Sequence, residues 1–425
     1  MAARPRLLFL AQCLPHPPHS GVATRTFNIL RQLQAEYDVD LVAFYRVNHQ
    51  RDYAARDAAR GALAHVTAFV AAPTPIPNEH SALRKVWDHL RSVMGKRAYT
   101  YYEYESHTFA DRLGAALRTR APDLVHLDSL DLHHWLPELP RVPIACTHHD
   151  IESELLRLRA SRIDRAVLRH YMLFQAQRVE RVEQELCPRF ALNVMMSAVD
   201  ARRLETLAPG AVTTVIPNGT DTDYFQPNGT ASVAGRVVFV GPTYSHPNRD
   251  AVEFLLQEIW PRIIAQDPAA SLRLIGRNAA AEQARYDAHP GVRALGYTPD
   301  IRPALAEARC CVVPLRIGGG TRLKILDAWA MGKAVVSRTI GCEGLDAVDG
   351  ENILVRDTPQ AFADAVAEVL GDAQLRSRLE RNGRRTATAT YSWSAVGQRI
   401  RSVYDELLSR SVSWLGKPTT VRLAS

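Results

Sequence analysis

Long apolar runs are missing from this 425-residue chain: no stretch approaches the roughly 20 consecutive apolar residues that a bilayer-crossing helix needs. Cysteine is sparse as well. Cys13, Cys146, Cys187, Cys310, Cys311 and Cys342 form no CxxC pair, and most sit within apolar, strand-like runs. That pattern argues against a disulfide framework or a zinc site and predicts reduced, buried thiols in a cytoplasmic protein. No Ser-His-Asp or Cys-His arrangement can be assembled. The net charge of +7 favours anionic partners, with nucleic acid, acidic lipid and a diphosphate all suiting its sign. Because no clustered basic and aromatic stripe accompanies the charge, nucleic acid is not an expected partner.

What is present suits a soluble globular protein of two or three compact units, with 46% hydrophobic and 23% charged residues. The opening MAARPRLLFLAQCLPHPP carries two early arginines and an apolar run at 7–13. That run is short, meets Pro15, Pro17 and Pro18, and lacks a small-residue cleavage pattern, so a first buried strand is predicted rather than a signal segment. Further apolar runs, VDLVAFY, DLVHLDS, VPIACTHHD and FALNVMMS, alternate with helical-period segments. A second series begins with GRVVFVG and continues through SLRLIGR, VRALGY, ARCCVVPL, KAVVSRT and ILVRD. Continuous apolar runs of this kind suit strands covered on both faces, and their alternation with helices predicts open α/β sheets.

Between the two series lies VIPNGTDTDYFQPNGTASVAG, dense in turn formers. The predicted division is therefore a first domain over 1–215, a connector over 216–234 and a second domain over 235–394. A helix over 395–412 would pack back toward the first domain, and 413–425 would form a tail. The connector's Asp221-Thr222-Asp223 spells DxD but is read as a turn, because aspartate is also a turn residue. Asp128 and Asp131 with His133 and His134 are read as loop capping before Trp135, since no complete metal-ligand set follows. The basic amphipathic stretch 83–97 carries Trp87, Leu90, Val93 and Met94 among Arg84, Lys85, Arg91, Lys96 and Arg97. It is read first as a helix covering the sheet, with docking on an anionic membrane as the alternative.

The most informative segment is VVPLRIGGGTRLKILDAWAMGKAVVSRTIGCEGL. An apolar strand runs into Gly318, Gly319 and Gly320, and a helix is predicted to start near Thr321. Glycines permit close approach of backbone to a ligand, and a helix start presents N–H groups to an anion. Lys324 adds a mobile cation one turn in, and Asp327, three residues on, could accept hydrogen bonds from ribose hydroxyls. By itself this is a cradle for a diphosphate.

The same segment resembles the donor-binding region of family-4 glycosyltransferases, and within them a bacterial exopolysaccharide-associated subgroup with the signature GxG-T-R-x-K-I-L-[E]-A-x-A-x-G. VIPNGTDTDYFQP, FVGPTYSHPNRDAVEFL, LGYTPDIRPALAEARCCVVPL and YSWSAVG are similar to further segments of that family in the same order, so the likeness covers nearly the whole chain. It implies the GT-B fold, two doubly wound Rossmann-like domains facing across a cleft, the first for the acceptor and the second for the nucleotide sugar. It implies donor binding by Gly318, Gly319, Gly320, Thr321, Arg322, Lys324, Asp327, Asn248 and Glu343. Two departures stand out. Asp327 occupies the place of a usual glutamate and Gly319 that of another, while His246, Asn248 and Arg249 replace a usual Arg and Lys pair. In the first half, PPHSGVATRTFNIL resembles the family's glycine loop, placing Gly21 and Arg25 at the cleft; a surface role for Arg25 is the alternative. ACTHHDIESELL resembles the segment carrying the family's active-site histidine, which makes His149 the catalytic candidate and His148 its neighbour.

The implied activity is transfer of a sugar, with retention of configuration, from a nucleotide-diphosphate donor to a glycan or lipid-linked acceptor in polysaccharide biosynthesis. No cofactor or metal is expected, and the expected place is the cytoplasm or the inner face of its membrane. A nucleotide-sugar epimerase of the same fold and a non-catalytic binding or scaffold subunit are the alternatives.

Overall fold

A computed structural model of the chain describes residues 3–18, 20–47, 49–79, 81–318 and 322–411. They divide into two compact units, one holding residues up to Ile216 together with those from Gly397 onward, the other spanning Pro217–Val396. The stretch expected as a connector thus clusters, from Pro217, with the second unit. The expected tail, 413–425, lies outside the described residues.

The first unit is built on an eight-stranded parallel sheet. Its strands are β1 (Arg6–Ala11), β2 (Asp38–Tyr45), β3 (Phe69–Val70), β4 (Thr74–Pro75), β5 (Leu124–Leu127), β6 (Ile144–His148), β7 (Leu192–Met195) and β8 (Thr213–Val215), in the order β3-β2-β1-β5-β6-β7-β8 with β4 also against β2. All six residues of β1 are buried, which explains the early apolar run as a central strand. Arg6 at its start is kept in the interior by an ion pair with Asp40 on β2. The charged stretch after β6 forms two helices, Glu152–Ala160 and Ala166–Leu186. The last helix, Trp393–Ser411, contributes Arg401 and Tyr404 to this unit, where they meet Gln32 and His126.

The second unit repeats the plan with β9 (Arg236–Val240), β10 (Ser271–Ile275), β11 (Val292–Gly296), β12 (Cys310–Val313), β13 (Ala334–Ser337) and β14 (Leu354–Val355), all parallel, ordered β11-β10-β9-β12-β13-β14. Its core gathers Phe239, Trp260, Trp329 and Phe362 around the apolar strands. All six cysteines are buried and free.

Both sheets change direction of growth once. In the first unit the reversal falls between β1 and β5, and in the second between β9 and β12. A doubly wound sheet opens a crevice at such a point, beyond the carboxyl ends of the strands, and ligands settle there. The two candidate sites occupy these two positions.

Candidate functional site

In the second unit β12 leads to Gly318, and the helix Leu323–Ala330 follows with Arg322 as its N-cap, two residues later than predicted. Gly319, Gly320 and Thr321 lie outside the described residues. Gly318 has φ of 131°, a backbone conformation that disfavours any larger residue, and a Cβ there would also have to displace the Arg322 guanidinium, 2.7 Å away. The helix buries Ile325, Leu326, Ala328, Trp329 and Ala330, which leaves Lys324 and Asp327 on its less buried side.

Lys324 reaches toward the carboxyl end of β9. Its Nζ donates to Asn248 Oδ1 at 2.8 Å and lies 4.4 Å from the ring centre of Phe239. Asn248 is itself held by donation to the Pro242 carbonyl. Gly241, just beyond β9, leaves room for both side chains: a Cβ on it would come within 2.8 Å of Asn248 and of Lys324 Nζ. A Cβ on Gly276, after β10, would overlap the Gly241 carbonyl, so two glycines on adjacent strands keep this edge open. Burial pushes the Lys324 ammonium down to about 7; Cys311 opposes that effect and the charge of Arg322 adds to it. A cation destabilised in this way is ready to be restored by an anion.

Asp327, one turn on, accepts a 2.7 Å hydrogen bond from the Thr220 hydroxyl, and burial raises its carboxyl to about 7. Thr220 is buried and tied through its backbone to Tyr391 and Trp393. The expected donor groups thus separate into a cationic pocket at Asn248 and Lys324 and an acid at Asp327. Arg249 is turned to Glu282, with 3.1 Å between them. Glu343 is exposed at the end of the short helix Thr339–Cys342, beyond β13.

In the first unit His148 and His149 part company at the end of β6. His148 is buried within the strand, with Nε2 2.9 Å from Asn193 Oδ1, and burial pushes its imidazole down to about 4. His149 lies beyond the strand end, its Nε2 2.8 Å from the Asp128 carbonyl and 3.6 Å from Asp128 Oδ1. A carbonyl only accepts, so Nε2 carries the proton, and Nδ1 of the neutral ring is an acceptor.

Asp128 is the group whose place sequence reasoning missed. It follows β5 directly, its backbone N–H donates to Leu10 on β1, and its Oδ2 accepts from the Thr26 hydroxyl at 2.6 Å. Arg25 is buried, which overturns the surface reading, and donates to the Ile216 carbonyl at 2.8 Å. Burial lowers its guanidinium to about 10, against the charge of Asp128. A Cβ on Gly21 would meet nothing within 4 Å, so packing within the chain does not demand glycine at that helix start. The one available signal for Asp128 was its position immediately after an apolar run.

The remaining acidic and histidine motifs serve turns and buried packing. Asp221 Oδ1 accepts from the backbone N–H groups of Asp223 and Tyr224, an Asx turn. Ser129 caps the turn that holds Asp131, His133 and His134, and burial lowers the two imidazoles to about 4 and about 3. Among the described residues no three His, Cys, Asp or Glu side chains gather as a metal ion would require. Among them, too, no helix is long and apolar enough to cross a membrane.

Known proteins resemble the chain in family and in fold. A model described as Glycosyltransferase Family 4 matches residues 19–224, and one described as Glycosyl transferases group 1 matches 234–372. The D-inositol 3-phosphate glycosyltransferase of Corynebacterium glutamicum is 24% identical over 70% of this chain and 76% of its own length. The lipopolysaccharide core biosynthesis glycosyltransferase LpsE of Rhizobium meliloti is 35% identical over 25% of this chain and 31% of its own. An uncharacterised protein from the cps region of Klebsiella pneumoniae is 27% identical over 30% of this chain, and only 35% of its length is spanned. Among solved structures, Anabaena HepE in complex with UDP superposes with a TM-score of 0.66 at 16% identity, over 94% of this chain and all of HepE. Sucrose-phosphate synthase from Thermosynechococcus elongatus gives 0.67 at 17% identity, over 95% and 99%. These likenesses establish the GT-B architecture of two Rossmann-like domains. With the two family models in chain order over most of the sequence, the chain belongs to the family-4 glycosyltransferases.

Proposed function

We propose that the protein transfers a sugar, with retention of configuration, from a nucleotide-diphosphate donor to a glycan or lipid-linked acceptor in polysaccharide assembly. The observation that carries this reading is Lys324, half-buried at the switch point beside Asn248 and Gly241, with its ammonium pushed down to about 7. Breaking the bond between the anomeric carbon and the diphosphate oxygen leaves the electron pair on the phosphate. A desolvated cation opposes that charge more strongly as it grows, which lowers the barrier rather than merely tightening binding. Asp327, which accepts from Thr220, takes the ribose hydroxyls. His149, fixed through Nε2, offers Nδ1 to orient the sugar or to receive the acceptor hydroxyl's proton as the new C–O bond forms. No metal is assigned a part in this scheme. Six buried, free thiols suit a reducing compartment, and the cytoplasm is the proposed place of work.

UDP-glucose, which is bound in a further HepE structure, is a sensible first member of a donor panel. Purified protein should be stabilised against heat by its donor and should release nucleoside diphosphate when acceptor is added. Lys324→Ala should abolish the release and weaken, without abolishing, the stabilisation. Wild-type turnover in that variant, or a full donor panel without any thermal shift, refutes the assignment.

A further inference from the structure

The helix Ala82–Met94 is built inside out. Its buried residues are polar: Asp88 and Ser92 are each fully enclosed. Asp88 accepts from Arg84 Nε at 2.8 Å, and Ser92 exchanges hydrogen bonds with Gln175 of the Ala166–Leu186 helix. His89 Nδ1 lies 2.5 Å from the Tyr171 hydroxyl on that same helix, and its ring stacks on Tyr99. These contacts fix the rotation of the helix. The reading in which it covers the sheet with an apolar face is therefore overturned, because that face points to solvent.

The outward stripe consists of Leu83, Val86, Trp87, Leu90, Val93 and Met94, at the spacing of one helical face. Leu83 is 84% exposed, Met94 71% and Trp87 52%. Val167 and Leu168, one turn before Tyr171 on the adjoining helix, are exposed too. A row of this kind forgoes burial that the same residues would gain if turned inward, so it calls for a partner. The charges around it identify the partner. Lys85, Lys96 and Arg97 are exposed beside the stripe, and Arg162, Arg165 and Arg169 are exposed around the start of the second helix. Asp88, the one acidic residue in 82–97, is enclosed between Arg84 and Arg91. Two copies meeting through this face would bring like charges together, whereas an anionic bilayer supplies both an apolar layer and negative headgroups.

We propose that residues 82–97, with the first turn of the Ala166–Leu186 helix, form a docking surface for anionic lipid bilayers. The stripe enters the boundary between headgroups and acyl chains, Trp87 lies at that interface, and the lysines and arginines extend to the phosphates. This surface is independent of the donor site, so either assignment can fail alone.

Co-flotation with phosphatidylcholine vesicles containing phosphatidylglycerol tests it. Wild-type protein should float with these vesicles, much less with pure phosphatidylcholine, and less as salt is raised. Leu83→Glu/Trp87→Glu should weaken binding at least tenfold, and Lys85→Gln/Lys96→Gln roughly fivefold for each charge removed. All four positions are exposed, so unfolding temperatures should match wild type, and Val93→Ser/Met94→Ser provides a milder second test of the stripe. The proposal is overturned if wild type remains with the soluble fraction, or if the double-glutamate variant floats as well as wild type. A wild-type dimer that this variant dissociates would assign the face to self-association instead.

Discussion

Donor binding should exchange protons with solvent in opposite senses on the two sides of pH 7. In the free protein Lys324 is held at about 7 by burial, against an ordinary 10.5, and Asp327 is raised by burial to about 7, against 3.8. A diphosphate beside Nζ favours the ammonium, so binding takes up a proton wherever the free lysine is neutral, which is above pH 7. A ribose hydroxyl donating to Asp327 favours the carboxylate, so binding releases a proton wherever the free acid is protonated, which is below pH 7. With both groups fully charged in the complex, net uptake is about 0.8 proton at pH 8 and net release about 0.8 proton at pH 6. The same arithmetic puts the tightest binding near pH 7 and makes it about 25-fold weaker at pH 5 and at pH 9.

Titration calorimetry in buffers of different ionisation enthalpy measures those protons directly, and a nucleotide sugar serves as ligand because its diphosphate does not titrate over the range. Lys324→Met should leave only the release, and Asp327→Asn only the uptake. Heats that do not depend on buffer at both pH 6 and pH 8 refute the reasoning. So does a change of sign that survives in Lys324→Met.

Three other substitutions separate architecture from chemistry. His148→Ala should cost about 2–3 kcal/mol in urea unfolding, because it empties a buried site and strands Asn193, whereas His149→Ala should cost under about 1 kcal/mol yet lower turnover at least tenfold. Asp128→Ala should destabilise the first unit by about 3 kcal/mol in the same assay, since it removes the charge that offsets buried Arg25 and the acceptor for Thr26. Thr220→Val should cost about 1 kcal/mol and, by removing a hydrogen bond that favours the carboxylate, move the proton-release limb of donor binding to higher pH.

The strands were legible because parallel strands covered on both faces leave unbroken apolar runs, as RLLFLA and CCVV do. Lys324 was legible for a related reason: a strand, a glycine turn and a helix are contiguous in sequence, so the cation's place follows from local geometry. Its altered titration was not legible, because Phe239 and Asn248, which enclose it, arrive from β9 and the helix after it. Asp128 was hidden in the same way. It matters only because β5 lies beside β1, a consequence of strand order that no local pattern states. The 82–94 helix shows the limit most clearly. Periodicity located its apolar stripe correctly but carries no information on which face turns inward. That was decided by Gln175 and Tyr171, far along the chain, which offer Ser92 and His89 polar partners. A hydrophobic pattern therefore predicts that a face will be covered, while the polar contacts on the opposite face decide whether the protein or something outside it does the covering.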